Sequence, residues 1–239
     1  MIHKTSEHQS HKFVSFSGID GAGKSTQIER LRDRLNEVGV RVLLVTFWSD
    51  VARLTWIRET TSHTLFKGDK GVGTPTRPVN RRDKNIQSWY MTAVRFGLYF
   101  VDAISLRIVA ARTLRADVDV VIFDRYLYDE LANLSWRNGI ARLYVRLLLM
   151  LVRQPDISYL LDADPVQACA RKPEYPLDFL HESRASYLAL SELVGGMTII
   201  APQPVRDVER RVLQQVLEML SPGALQDGPV EMHASADAP

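Results

Sequence analysis

Eight residues near the start of the chain, Gly18-Ile-Asp-Gly-Ala-Gly-Lys-Ser25, constrain its fold more than any other segment. They satisfy G-x-x-x-x-G-K-[ST] and stand between an apolar run, Phe13 to Ser17, and an amphipathic run, Ser25 to Glu37. The first run reads as a strand and the second as a helix ending near Gly39, which is the context this motif requires. Gly18, Gly21 and Gly23 let the backbone curl so that successive N–H groups point at one phosphate, helped by the helix N-terminus. Lys24 adds a point charge on the terminal phosphates, and the Ser25 hydroxyl is suited to ligate Mg²⁺. The phosphate-binding set on this reading is Gly18, Gly21, Ala22, Gly23, Lys24, Ser25 and Thr26. At average glycine usage a chance match is on the order of one in a hundred for a chain this long.

The rest of the chain repeats the strand–helix alternation. Further strands are expected at Arg41 to Thr46, Val118 to Phe123, Ile157 to Leu161 and Met197 to Ile200. Helical patterns cover Val51 to Phe66, Ile86 to Ala116, the stretch up to Val152 with a break near Asn138-Gly139, Pro165 to Arg171, Phe179 to Val194, and Val205 to Leu220. The longest of these, Ile86 to Ala116, would span about 45 Å unbroken. Strands apolar on both faces that alternate with helices imply a parallel sheet covered on both sides. The expected architecture is an α/β three-layer sandwich with about five parallel strands, of the P-loop NTPase type.

Composition narrows the functional classes. With 239 residues, 46% hydrophobic and 24% charged, the chain has the balance of a globular protein and room for one core. A single domain is expected over 13–220. A net charge of +2 is too small to argue for nucleic acid as a bulk partner. The lone Cys169 excludes an internal disulfide, and residues 1–12 read as a flexible N-terminus without a signal peptide's apolar core. A cytoplasmic protein is the expectation. Ile140 to Val152 is apolar but short of the roughly 20 residues of a membrane span, and Arg142 and Arg146 interrupt it. A buried or subunit-facing helix is expected there. Residues 67–84 carry six basic side chains against Asp69 and Asp83 and read as a mobile basic loop, either simply solvated or a lid over phosphates. Residues 221–239 hold Asp227, Glu231 and Asp237 with no Lys or Arg, and read as a disordered acidic tail.

A second feature is Asp124-Arg125-Tyr126 at the carboxyl end of an apolar strand. Ligands of open α/β sheets bind outside those ends. An acid there can hold Mg²⁺ or its waters, or orient an acceptor; an adjacent arginine can neutralise charge on transferred phosphoryl oxygens.

Together these segments resemble the thymidylate kinase family. The resemblance rests on Ser17-Gly-Ile-Asp-Gly-Ala-Gly-Lys-Ser-Thr26, Phe123-Asp-Arg-Tyr126, Leu161-Asp-Ala-Asp-Pro165 and Arg184-Ala-Ser-Tyr-Leu188, in that order, and covers about residues 13 to 220. It implies an ATP- and Mg²⁺-dependent nucleoside monophosphate kinase, usually a homodimer packed through long helices. In that family Asp20 matches the P-loop acid that approaches the acceptor. Gly21 stands where some members place an arginine; members lacking it supply basic residues after the L-D-x-D-P segment, here Arg171 and Lys172. Phe100, 24 residues before Asp124, matches the aromatic that stacks on the acceptor base, although a core position is an equal reading of it. Arg58 fits the arginine that grips the acceptor phosphate. The chain also departs from the pattern. Phe47-Trp48-Ser49-Asp50 replaces E-P-G-G, and Ile104 replaces the arginine that reads thymine, for which Arg107 one turn further is the candidate substitute.

The expected catalytic set is therefore Lys24, Asp124, Arg125 and Asp20, with Ser25 and Asp124 toward the metal. Phosphorylation of dTMP is the leading activity. The alternatives are a related kinase with another nucleotide, a sugar or a lipid-linked acceptor, and a regulatory ATP-binding protein.

Overall fold

In the computed structural model, which describes residues 11–52, 89–134 and 139–221, five strands form one sheet. The elements run β1 (Lys12–Ser17), α1 (Lys24–Glu37), β2 (Val42–Thr46), a single π-helical turn (Phe47–Val51), α2 (Trp89–Thr113) and β3 (Val120–Asp124). They continue with α3 (Leu127–Leu131), α4 (Gly139–Leu151), β4 (Ile157–Leu161), α5 (Pro165–Arg171), α6 (Leu177–Val194), β5 (Met197–Ile200) and α7 (Val205–Leu220). The strand order is β2-β3-β1-β4-β5, and every pairing is parallel.

Two apolar cores flank the sheet. Alternation along β1 sends Phe13 to one face and Val14 and Phe16 to the other. On the first face Phe13, Val121 and Phe123 pack with Leu106 of α2, Leu131 of α3, Leu148 of α4 and Leu190 of α6. On the second, Val14, Phe16, Ile122 and Tyr159 pack with Ile28, Leu31 and Leu35 of α1 and Val208, Val212 and Val216 of α7. This is the expected three-layer α/β sandwich. The central strands β1 and β3 are buried almost throughout, whereas β2 and β5, at the edges, are only partly covered.

The boundaries differ from the sequence reading where ends are set by hydrogen bonding rather than polarity. Lys12 opens β1 and pairs with Val120, so the strand starts inside the segment expected to be flexible. The third strand is shifted to Val120–Asp124, because Asp119 instead binds the Arg41 carbonyl through its own N–H and the Arg41 guanidinium through its carboxylate. The long helix stops at Thr113, whose hydroxyl donates to the Ala110 carbonyl. The expected helix from Val51 to Phe66 lies outside the described residues except for Val51 and Ala52. The basic loop 67–84, the tail beyond 221 and Arg58 lie outside them too. Among the described residues no helix is long and apolar enough to cross a membrane.

Candidate active site

The chain leaves β1 at the centre of the sheet, where β3 lies on one side and β4 on the other. The crevice at the carboxyl end of β1 is thus a topological switch point, the place where open α/β sheets bind ligands. Gly18, Gly21 and Gly23 all adopt positive φ there, at 140°, 81° and 89°. Two of them are also forced to be glycine by contact. A Cβ at Gly18 would lie 2.5 Å from the Leu161 carbonyl oxygen, and one at Gly21 would lie 2.4 Å from that of Ala168. Gly21 is therefore where the loop is clasped by α5, and the position has no room for an arginine.

Lys24 begins α1 and folds back into the loop. It is buried, and its ammonium donates to the Gly18 and Ile19 carbonyls at 2.7 and 2.9 Å. Burial, aided by repulsion from Arg125, lowers its pKa to about 8, against the opposing attraction of Asp129, Asp20 and Asp124. Those four groups therefore lie within electrostatic reach of the lysine. Ser25 and Thr26 lie exposed at the same helix start.

Arg125 links the two halves of the crevice. It has φ 69° and is the one non-glycine residue with positive φ among those described. Its N–H donates to the Phe16 carbonyl, and its guanidinium spans Asp20 of the loop at 2.5 Å and Asp129 of α3 at 3.3 Å. Burial pushes the Asp20 carboxyl upward, but Arg125, Lys24 and Lys172 together hold it below the ordinary aspartate value. Lys172, from the expected lid, thus acts on the P-loop acid, and it also pairs with Glu174 at 3.2 Å. Arg171 is exposed at the end of α5. Tyr126 turns inward, edge-on to Phe123, with its hydroxyl donating to the Arg153 carbonyl.

Asp124 ends β3 in register with Phe16 and Thr46. Unlike Asp20 and Asp129, its carboxylate has no hydrogen bond or ion pair among the described residues, yet it lies close enough to act on Lys24. No cluster of three or more metal-ligating side chains occurs among those residues. A magnesium ion shared with nucleotide phosphates needs only one or two protein oxygens and keeps several waters. The exposed Ser25 hydroxyl and the uncommitted Asp124 carboxylate fit that requirement.

The remaining motif residues are structural supports. Asp164 caps α5 by accepting from the Gln167 N–H, and Asp162 takes a two-pronged bond from Arg184 at 2.6 and 2.7 Å. Asp129 and Tyr187 are the residues that sequence reasoning missed as partners. Asp129 sits one turn beyond Arg125, and the signal was present in that spacing.

The acceptor side is less complete. Phe100 is 47% exposed on α2, which excludes the core reading, and Ile104 follows it on the same face. Arg107 is not brought to the P-loop. Its guanidinium donates to the Leu151 carbonyl at the end of α4, which leads into the amino end of β4, whereas the phosphate loop follows the carboxyl end of β1. In place of the family's E-P-G-G, the π-helical turn after β2 is closed by Asp50 accepting from the Thr46 N–H, and it exposes Trp48.

No protein-family model matches the chain. Several curated proteins do. It is 27% identical over 215 residues to a probable thymidylate kinase of Pyrococcus abyssi, covering 85% of this chain and 95% of that one. It is 28% identical over 189 residues to a thymidylate kinase of Bifidobacterium longum strain DJO10A, covering 75% and 83%. With the thymidylate kinase of B. longum strain NCC 2705 the identity is 30% over 156 residues, covering 64% of this chain and 67% of the other. Set beside a parallel five-stranded sheet, a glycine loop clasping a buried lysine and an arginine poised at the strand end, these relationships place the chain in the thymidylate kinase family of nucleoside monophosphate kinases.

Proposed function

We propose that the protein transfers the γ-phosphoryl group of ATP to the phosphate of a nucleoside monophosphate, with dTMP as an accepted substrate. The observation that carries this reading is Arg125, held by acids from two elements between the phosphate loop and the strand-end Asp124. Phosphoryl transfer demands positioning and charge stabilisation more than covalent chemistry. Lys24 and the loop N–H groups would hold the donor phosphates. Ser25 and Asp124 would hold Mg²⁺, which when bound supplies charge neutralisation across the phosphates. Arg125 would neutralise charge between the donor and acceptor phosphates, with Asp20 as its neighbour and Lys172 within electrostatic reach of Asp20.

Base recognition is looser on this reading. Phe100 offers a ring for stacking, but Ile104 offers no hydrogen bond and Arg107 is committed elsewhere. A site that hydrogen-bonds its substrate rejects analogues by about 10⁴ or more, whereas an apolar one discriminates by only about 10–200-fold. The test is kcat/KM for dTMP, dUMP, dCMP and dGMP under one set of conditions. Turnover of dTMP within about 200-fold of dUMP is expected. Tight ATP binding with none of the four phosphorylated would overturn the nucleotide acceptor. The second reading, a kinase of this family acting on a different acceptor, draws on the replacement of E-P-G-G by the Trp48 turn. A homodimer, with the outer faces of α2 and α4 as its interface, completes the proposal.

A further inference from the structure

Asp129 is the most heavily bonded side chain beside the phosphate loop, and its own side chain is only 1% exposed. One carboxylate oxygen accepts from the Ser17 hydroxyl at 2.7 Å and the Tyr126 N–H at 3.1 Å. The other accepts from the Tyr187 hydroxyl at 2.7 Å and from Arg125 at 3.3 Å. Donors from β1, from α6 and from the turn between β3 and α3 thus converge on it. Alternation along β1 explains part of this, since Ser17 points to the same face as Phe13, under which α3 lies. Asp20, the other partner of Arg125, differs in kind. It stands on the phosphate loop and is 23% exposed.

This asymmetry separates a fixed anchor from an exchangeable one. A phosphate entering the crevice can compete with the solvent-facing Asp20 for Arg125. Asp129 cannot be stripped of its cation without leaving a buried carboxylate unpaired, and its bond to the Tyr126 N–H also holds the left-handed backbone of Arg125. We propose that Asp129 is the positioning residue for Arg125: it keeps the guanidinium aimed into the crevice while Asp20 serves as the partner that an incoming phosphate replaces. The inference rests on the kinase reading above.

The test uses a guanidinium that is no longer tethered. Arg125→Gly accepts the positive φ and empties the space, so methylguanidinium added to this variant should dock on Asp129. It is expected to raise the Tm of Arg125→Gly and to restore phosphoryl transfer at least about tenfold, and to do neither in Arg125→Gly/Asp129→Asn. Equal responses in both variants, or none in either, would overturn the proposal. Asp129→Asn alone gives a second readout that does not need the double variant to fold. Its kcat should fall about 10²-fold, the scale of losing one preorganised group, with KM for ATP within about threefold of the parent. Parental kcat in that variant would also overturn it, as would a loss confined to Tm. A parent chain that phosphorylates no monophosphate would instead remove the kinase reading, while the Tm comparison still tests the pocket.

Discussion

Lys24 shows how a single residue's burial becomes a measurable pH dependence. Its pKa of about 8 lies below the ordinary lysine value of 10.5, so between those two pH values the folded chain binds fewer protons there than the unfolded chain. By linkage, the cost of burying the charge is present in full below pH 8 and is relieved as pH rises toward 10.5. Ligand binding has the opposite sign, because phosphates favour the protonated amine. ATP affinity should therefore fall by up to about tenfold per unit as pH rises above 8, with proton uptake on binding, and calorimetry in buffers of different ionisation enthalpy reads that directly. Lys24→Ala should lose both the proton uptake and turnover while remaining folded. Asp124 makes the complementary case. Because its carboxylate is uncommitted among the described residues, Asp124→Asn disturbs no internal bond there, and its effect should fall on kcat, by about 10²–10³-fold, more than on ATP affinity. Normal kcat with weakened ATP binding would give Asp124 a ground-state role only.

At the scale of elements, the decisive contact is the one between the phosphate loop and α5. Gly21 and Gly23 have nearly the same φ, 81° and 89°, but a Cβ meets the Ala168 carbonyl at the first and nothing within 4 Å at the second. Gly23→Ala should cost about 1 kcal/mol, from the left-handed backbone alone. Gly21→Ala adds the clash and should cost clearly more, which urea unfolding of the two variants compares directly. That clasp also shows where legibility in the sequence ends. The loop, its strand and helix, and most later elements are readable because apolar periodicity and a strict local motif report on nearby backbone. The clasp at Gly21, the bonds of Ser17 and Tyr187 to Asp129 and the engagement of Arg107 with Leu151 are contacts between residues distant in sequence, and no local pattern carries them. Asp119 shifted the start of β3 for the same reason: its partner is Arg41, on another strand's approach.

For the whole molecule, the question is what covers the outer helices. On α4, Ile140, Leu143, Leu147 and Met150 are 69%, 60%, 52% and 80% exposed, opposite the buried Ala141, Val145 and Leu148. On α2, Phe100, Val101, Ile104 and Ile108 are exposed as well, and the two helices meet where Phe96 stacks on Tyr144 with ring centroids 4.1 Å apart. Single exposed apolar residues are ordinary, but two adjoining helices that each carry a stripe of them fit the dimer interface proposed above. The spacing along α4, three and four residues alternately, is that of a helix-packing seam. A two-fold arrangement lets one such surface serve both partners. Light scattering should therefore give twice the chain mass, 54 kDa being about double the 27.1 kDa of one chain. Leu147→Glu together with Met150→Glu should shift the mass to that of one chain, since both side chains leave the core intact and place like charges across the seam. Loss of stability without loss of the dimer would assign that face to the fold itself and move the interface elsewhere.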